Sequence, residues 1–336
     1  MLRVGIGGGS GYSGVELIQI LLRHPEVEIT FLSSERYAGD PVEVLFPHLR
    51  SLIDVRFSKL EDVSQTDLDV LFLALPHGEA MRLVPQLDNI PLIIDLSGDF
   101  RIPAPEVFEQ YYGFAHTAME QQKGFIYGLT EINRDQLRGA RRISNPGCFA
   151  TATILALYPL YRKAWVDGPV YVDSKTGSSG AGRSPSATTH HPRRTQSLFP
   201  YKPFSHQHIP EIEQLLDRAE NRLIFQPHSA PFVRGIFASH YMQLIEPKTA
   251  EEVRALYQEI YSQSPFIRIV PGCPDLSCIQ HSNFVDIGVA TDDRHLIVWS
   301  TLDNLQKGAA GQAVQNMNVA CGFEETLGLT ASPAFP

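Results

Sequence analysis

The opening residues fix the order of one strand, one turn and one helix. The apolar run Leu2–Gly7 is followed by Gly9-Ser10-Gly11-Tyr12-Ser13-Gly14, which satisfies G-x-G-x-x-G, and Val15–Leu22 then continues with helical spacing. Glycines at such a turn let the chain bend sharply and let a ligand approach the backbone. The first amides of the helix, unpaired and at the positive end of its dipole, suit a pyrophosphate. A lone G-x-G-x-x-G is weak evidence, because glycine turns also serve packing. Between a strand and a helix it predicts a dinucleotide site lined by Gly8, Gly9, Ser10, Gly11, Tyr12, Ser13 and Gly14.

The same alternation continues through Glu28–Ser33, Asp69–Leu75 and Pro91–Ser97, which predicts βαβ units on a parallel sheet. Val70–Leu75 is apolar at every position, as a strand covered on both faces must be. The second strand ends in Phe31-Leu32-Ser33-Ser34-Glu35-Arg36. An NAD site usually places an acidic residue there, against the ribose hydroxyl. Ser33, Ser34 and Arg36 suit a 2′-phosphate instead, so NADP is the expected cofactor; a Glu35 turned inward would reverse the preference.

A cysteine then stands where a strand meets a helix. Arg142–Asn145 has strand character, Pro146-Gly147 turns, and Cys148 begins the helical stretch 148–163, in which Pro159 is expected to end or kink the helix. A thiol at a helix N-terminus has its thiolate stabilised by the dipole and by unpaired amides, which can also hold an oxyanion. Elsewhere a single cysteine would read as a small buried hydrophobe; after Pro-Gly and before a helix it reads as a nucleophile.

Beyond Cys148 β-type stretches dominate: Val170–Ser174, Gly235–Ile245, Phe266–Val270, Phe284–Thr291 and Leu296–Leu302. The expected architecture is an α/β Rossmann-type dinucleotide domain, residues 1–147, and an α+β, mainly antiparallel catalytic and substrate domain, residues 148–305, with the active site in the cleft between them. The Ala-rich, amphipathic pattern Gln306–Cys321 is expected to open a C-terminal segment, 306–336, that packs back on the first domain. Residues 177–203, rich in Gly, Ser, Thr, Pro, His and Arg, read as a long functional loop.

Charge removes other classes of function. With 28 basic and 37 acidic residues the formal charge is −9, so neither nucleic acid nor an anionic membrane is an expected partner. No apolar run approaches the roughly 18 residues needed to span a bilayer. The start MLRVGIGGG has no secretory pattern, and the expectation is a soluble cytoplasmic protein. Four cysteines are too few and irregular for a disulfide framework. Cys273 and Cys278 supply only half a tetrahedral site, and no metal is expected.

The stretch from Ile143 to Pro159, ISNPGCFATATILALYP, resembles the cysteine signature of the N-acetyl-gamma-glutamyl-phosphate reductases of arginine biosynthesis, relatives of aspartate-semialdehyde dehydrogenase. The similarity continues in GGSGYSG at 8–14, DLSGDFR at 95–101, SGAGR at 179–183, HQHIPEIEQ at 206–214 and DNLQKGAAGQAVQNMN at 303–318, so it spans nearly the whole chain. The resemblance implies that Cys148 attacks an acyl phosphate and that a nicotinamide hydride reduces the resulting thioester to an aldehyde. It places the acid/base histidine in H-x-H-x-x-E, at His206 or His208. His208 is favoured, with Glu211 orienting it or touching substrate, and His206 packing or capping. Asn145, within the signature, and Lys307 are expected at the substrate, and Asn304 near the nicotinamide; simple capping of the last helix is the alternative for Asn304 and Lys307. Ser179, Gly180 and Arg183 can offer amides and a guanidinium to the substrate phosphate or carboxylate, unless the glycines serve geometry alone. Asp95, Asp99 and Arg101 are expected to stabilise the loop after their strand. The family also implies a homodimer or homotetramer.

The stretch Ser184–Arg193, with Tyr201-Lys202-Pro203 after it, looks more like a branch that reduces aminoadipyl or glutamyl phosphate held on an acidic amino-group carrier protein. PGCF fits the acetyl-glutamyl enzymes better, and the net charge gives no general attraction to an acidic carrier, although Arg193 and Arg194 can form a local basic patch. A pure binding module would lack the cysteine or the histidine. An aldehyde dehydrogenase that releases the acid to water would not need the acyl-phosphate signature.

Overall fold

The computed structural model describes residues 1–216 and 223–334. The chain divides into two compact units. One is Met1–Pro146 with Ala309–Thr330; the other is Gly147–Gly308 with the terminal segment from Ala331.

In the first unit β1 (Leu2–Gly7), β2 (Val27–Ser33), β3 (Phe57–Ser58), β4 (Val70–Leu73), β5 (Leu92–Asp95), β6 (Ile126–Tyr127) and β7 (Arg142–Ser144) form one sheet in the order β3-β2-β1-β4-β5-β7-β6. Every pairing is parallel. β4 and β5 are buried at all positions, which is why β4 and residues Leu92–Ile94 of β5 are apolar without alternation; β5 ends in the buried carboxyl of Asp95. Strand order reverses between β1 and β4, and the glycine turn lies at the carboxyl end of β1, where open α/β sheets bind ligands.

The segment 309–330 belongs to this unit, but its helix, Gly311–Cys321, is not amphipathic as expected: it is buried continuously from Gly311 to Val319. Its polar residues are hydrogen-bonding struts and form no solvent face. Gln312 donates to Thr130 Oγ1 at 3.0 Å, Asn316 to the Gly128 carbonyl at 2.7 Å, and Asn318 Oδ1 lies 2.9 Å from His24 Nε2. After Thr330 the chain belongs to the other unit, where the Ala334 amide donates to the Gln280 carbonyl at 3.0 Å; residues 335 and 336 of the expected return lie outside the described residues.

The second unit has its own seven-stranded sheet. Its strands are β8 (Val166–Thr176), β9 (Phe199–Pro200), β10 (Leu223–Ser229), β11 (Ile236–Leu244), β12 (Ile267–Ile269), β13 (Val285–Asp292) and β14 (His295–Leu302), in the order β12-β13-β14-β11-β8-β10-β9. Four pairings are antiparallel, and β12–β13 and β8–β10 are parallel, so the mainly antiparallel expectation holds.

Helix Cys148–Arg162 packs on β11 and β14 and does not end at Pro159 but continues three residues beyond it. Proline cannot donate to the carbonyl four residues back, here Leu155. Tyr261 Oη donates to that carbonyl at 2.7 Å, and Tyr257 Oη donates to the next, Ala156. Tyr257 and Tyr261 flank the end of helix Ala250–Ile260, whose capping box pairs Thr249 with Glu252.

The register places Ile224, Tyr171, Tyr241, Ile297 and Ala290 in one row across five strands. Tyr171 is 50% and Tyr241 41% exposed, so this row lies on an open, largely apolar face.

Candidate active site

In the first unit, the glycine turn has no room for side chains at two positions. Gly8 has φ +81° and a Cβ there would lie 2.3 Å from the Ala74 carbonyl oxygen; at Gly14 it would lie 2.5 Å from the Gly8 oxygen. Ser33 holds the turn, accepting from the Gly8 amide on Oγ at 3.0 Å and from the Gly9 amide on its carbonyl at 2.9 Å. Ser34 Oγ meets Ser10 Oγ at 2.9 Å. Helix Tyr12–Leu21 follows with its first amides at the turn. This cradle fits a dinucleotide pyrophosphate. Glu35 is exposed and accepts from the Leu60 amide at 3.1 Å, so its carboxylate is held by the β3 side of the sheet; Arg36 is exposed beside Tyr37.

The second unit brings Cys148, His206, His208 and Glu211 together. Cys148 is the first residue of its helix and is partly exposed. The preceding Gly147 is required by what lies beside it. An alanine Cβ there would fall 2.3 Å from His208 Nε2, so the imidazole packs on the bare backbone next to Cys148. Glu211, fully buried one turn along helix Ile209–Leu216, accepts from the Gly147 amide at 3.0 Å and faces His208 Nε2 at 3.9 Å. One carboxylate thus fixes both the turn before Cys148 and the histidine's surroundings.

His206 has a different environment. Its ring is surrounded by Phe149 and Phe225, each at 5.5 Å, Tyr201 at 5.7 Å and His208 at 4.6 Å. Its Nδ1 accepts from the His208 amide at 3.2 Å. Burial above all, with the charges of His208 and Lys202, pushes the His206 imidazole down to about 2. A histidine held neutral in this way, with one nitrogen engaged, is a weaker candidate for proton exchange near neutrality than an ordinary imidazole.

Lys307 is fully buried on the five-residue π-helix Gln306–Ala310, its Nζ 5.8 Å from the Phe266 ring. The next residue, Gly308, is pressed onto Cys148, since a Cβ there would lie 2.7 Å from Cys148 Cβ. Asp303 caps this segment, accepting from the Leu305 amide at 2.9 Å and the Gln306 amide at 3.2 Å. It is also paired with Arg234. Asn304 Oδ1 accepts from the Gly235 amide at 2.6 Å, and its Nδ2 donates to Ser179 Oγ at 3.0 Å. Asp303 and its cap were readable as an Asp just before a helical pattern; Arg234, far away in sequence, carried no such signal.

Three expectations are corrected. The amides of Ser179 and Gly180 do not present an anion cradle, because they donate to the Val233 and Gly177 carbonyls at 3.0 and 3.1 Å, which leaves the exposed Arg183 guanidinium as that segment's cationic group. Asn145 has no exposed surface: its Nδ2 donates to the Ala309 carbonyl at 3.1 Å and its Oδ1 accepts from Asn316 at 3.0 Å, so it braces the turn where substrate contact was expected. Arg193 and Arg194 do not form a joint surface patch, because Arg193 is exposed and Arg194 is buried. The loop after β5 does stabilise itself. Asp99 accepts from the Gly78 and Met81 amides, and Arg101 donates to the Asn145 and Leu96 carbonyls at 2.7 and 2.8 Å.

Residues 3–140 match the family profile for semialdehyde dehydrogenase, NAD binding domain, and residues 148–304 that for semialdehyde dehydrogenase, dimerisation domain. An N-acetyl-gamma-glutamyl-phosphate reductase of Methanopyrus kandleri is 46% identical over 340 residues, covering 98% of each chain. The chain belongs to the N-acetyl-gamma-glutamyl-phosphate reductase family. The resemblance carried by the cysteine segment is thereby borne out, and this member of the reductase family is an oxidoreductase with a nicotinamide-cofactor domain. Among solved structures, an aspartate semialdehyde dehydrogenase II of Vibrio cholerae, complexed with ASA, aligns with TM-score 0.73 at 18% identity, over 95% of this chain and 98% of that one. The Candida albicans enzyme with NADP aligns with TM-score 0.67 at 17% identity, over the same shares. At these identities the likeness establishes the reductase's fold.

Proposed function

We propose that the chain reduces N-acetyl-gamma-glutamyl phosphate to N-acetyl-glutamate semialdehyde and phosphate, with NADPH, through a thioester on Cys148. The observation that carries this reading is Cys148 at a helix N-terminus with the His208 ring packed on Gly147 and Glu211 bonded to the Gly147 amide. Unit one, with the returning C-terminal helix, holds the cofactor through Gly8–Gly14, with Ser33, Ser34 and Arg36 at the 2′-phosphate; unit two carries the chemistry.

The Cys148 thiolate attacks the acyl carbon, the bond to the phosphate oxygen breaks, and His208 gives its proton to the departing phosphate. First-turn amides of the helix hold the oxyanion, the Gly147 amide being taken by Glu211. NADPH, when bound, supplies the hydride that reduces the thioester. Collapse of the tetrahedral oxyanion breaks the carbon–sulfur bond, frees the aldehyde and restores the thiolate, and His208 recovers a proton from water. Lys307 neutralises substrate charge, and Asn304 positions the nicotinamide side. An activated thiol also calls for a reducing compartment, in keeping with a cytoplasmic location. Self-association as a homodimer or homotetramer is part of the proposal, through the open face bearing Tyr171 and Tyr241.

The test is NADPH oxidation with N-acetyl-gamma-glutamyl phosphate, compared with glutamyl and aminoadipyl phosphates linked to an amino-group carrier protein, in wild type and Cys148→Ser. Turnover confined to carrier-linked substrates would replace the acetylated substrate, and turnover in Cys148→Ser would end the thioester route.

A further inference from the structure

Arg194 is a buried charge that the reaction above leaves unused. It closes the short helix His191–Arg194 in a surface segment where residues 190–193, 195 and 196 are exposed, yet it is itself only 5% exposed. One Nη donates to the Ser197 carbonyl at 3.4 Å, at the long limit of a hydrogen bond. The other, Nη2, is buried and has no acceptor among the described residues. Burial lowers the guanidinium pKa, and Tyr201 is the neighbour that opposes this. The Tyr201 phenol is itself pushed up, by burial and by Cys148, so it stays neutral and supplies no counter-charge. Tyr201 in turn stands 5.7 Å from the His206 ring, which is 4.6 Å from that of His208. The guanidinium thus acts electrostatically on Tyr201, the ring neighbour of His206, within the same unit.

A guanidinium taken out of water without an anion is a standing cost to the fold, and such a group is retained when an anion arrives from outside. Its planar fork matches a carboxylate or phosphate with two parallel hydrogen bonds. Lys307, one residue before the Gly308 that lies against Cys148, is the point charge assigned above to the substrate. Arg194 and Cys148 both act on Tyr201, which suits the guanidinium to the other charged end of the same substrate.

We propose that Arg194 binds the carboxylate of the amino-acid chain whose acyl phosphate Cys148 attacks, an inference that rests on the acyl-phosphate reading above. The reverse reaction tests it, because N-acetyl-glutamate semialdehyde and inorganic phosphate then enter as separate anions with NADP. For Arg194→Met the KM for the semialdehyde should rise about ten- to a hundred-fold, the scale of a lost hydrogen bond to a charged group, while the KM for phosphate stays within about two-fold. Arg194→Lys, which keeps the charge without the fork, should fall between. Tm should hold or rise in Arg194→Met, since an unpaired buried charge is removed. An unchanged KM for the semialdehyde, a rise confined to phosphate, or a lowered Tm with loss of kcat alone would each overturn the assignment. Absence of wild-type turnover would instead sink the substrate reading. The same variants would then be assayed on a carrier-linked semialdehyde, which keeps its carboxylate, and an unchanged KM there would overturn the role of Arg194.

Discussion

Gly147→Ala isolates the contact between the nucleophile's turn and His208. Gly147 has φ −71° and ψ 148°, which alanine adopts without strain, so the only consequence of the substitution is steric. The new methyl carbon would lie 2.3 Å from Nε2, 2.5 Å from Cδ2 and 2.7 Å from Cε1 of His208. Ordinary contact begins near 3.4 Å, so the ring and the Cys148 turn must separate by about 1 Å. A misplacement of about 1 Å in a catalytic constellation costs on the order of 10²-fold in rate. Single-turnover reduction with saturating NADPH should therefore slow by about 10²-fold, while NADPH affinity, measured by fluorescence titration, stays at the wild-type value because the glycine turn at residues 8–14 is untouched. Chemistry within about two-fold of wild type would refute a His208 role that depends on this packing.

The histidine pair separates by substitution. His208→Asn should slow the chemical step by about 10² to 10⁴-fold, whereas His206→Asn, replacing a group held neutral with its pKa near 2, should cost far less; abolition by His206→Asn alone would reverse the assignment. Arg36→Ala should weaken NADPH about ten-fold more than NADH, as read by paired titrations, and equal losses would remove Arg36 from the 2′-phosphate. Asp95 gives a stability signature. Burial first, then Asp99, pushes its carboxyl up from 3.8 to about 6, so between these values the folded chain holds a proton that the unfolded chain has lost. Wild-type stability should fall as pH rises through that window. Asp95→Asn should accordingly raise Tm relative to wild type at pH 8 but not at pH 4, by at most about 3 kcal/mol in stability; an equal shift at both pH values would refute the account.

The centre of the first unit's sheet was legible because its strands are buried on both faces and uninterrupted in apolar character, as in β4 and in Leu92–Ile94 of β5. The second unit was read less completely. β10 pairs with the distant β8 in parallel, and helix Ala250–Ile260 was missed although Thr249 and Glu252 spell its capping box. The C-terminal helix misled for a physical reason: Gln312, Asn316 and Asn318 have the polarity of a solvent face but spend it on buried partners that one sequence cannot reveal. At the site, Cys148 announced itself by its place between turn and helix. The different environments of His206 and His208 could not be read from the sequence, because the aromatic surroundings of His206 come from Phe149, Tyr201 and Phe225.

Buried charges in the second unit sort by whether the fold satisfies them. Asp303 has no exposed surface, yet Arg234 donates to it through Nε at 2.9 Å and Nη2 at 3.1 Å, and the His281 amide adds a third donor at 2.7 Å beside the two that cap the Lys307 segment. Every lone pair direction is used, and removing either partner would strand the other, so Asp303 and Arg234 act by fixing the shape of the π-helix that presses Gly308 on Cys148. Arg194 is buried to a similar degree, but the carbonyl of Ser197 answers one nitrogen and nothing among the described residues answers Nη2. A fold gains no stability from holding that charge so poorly. The difference in satisfaction, more than the difference in burial, is what separates a charge that shapes the site from one kept for a ligand, and it was visible only once residues 69 positions apart in sequence had been brought together.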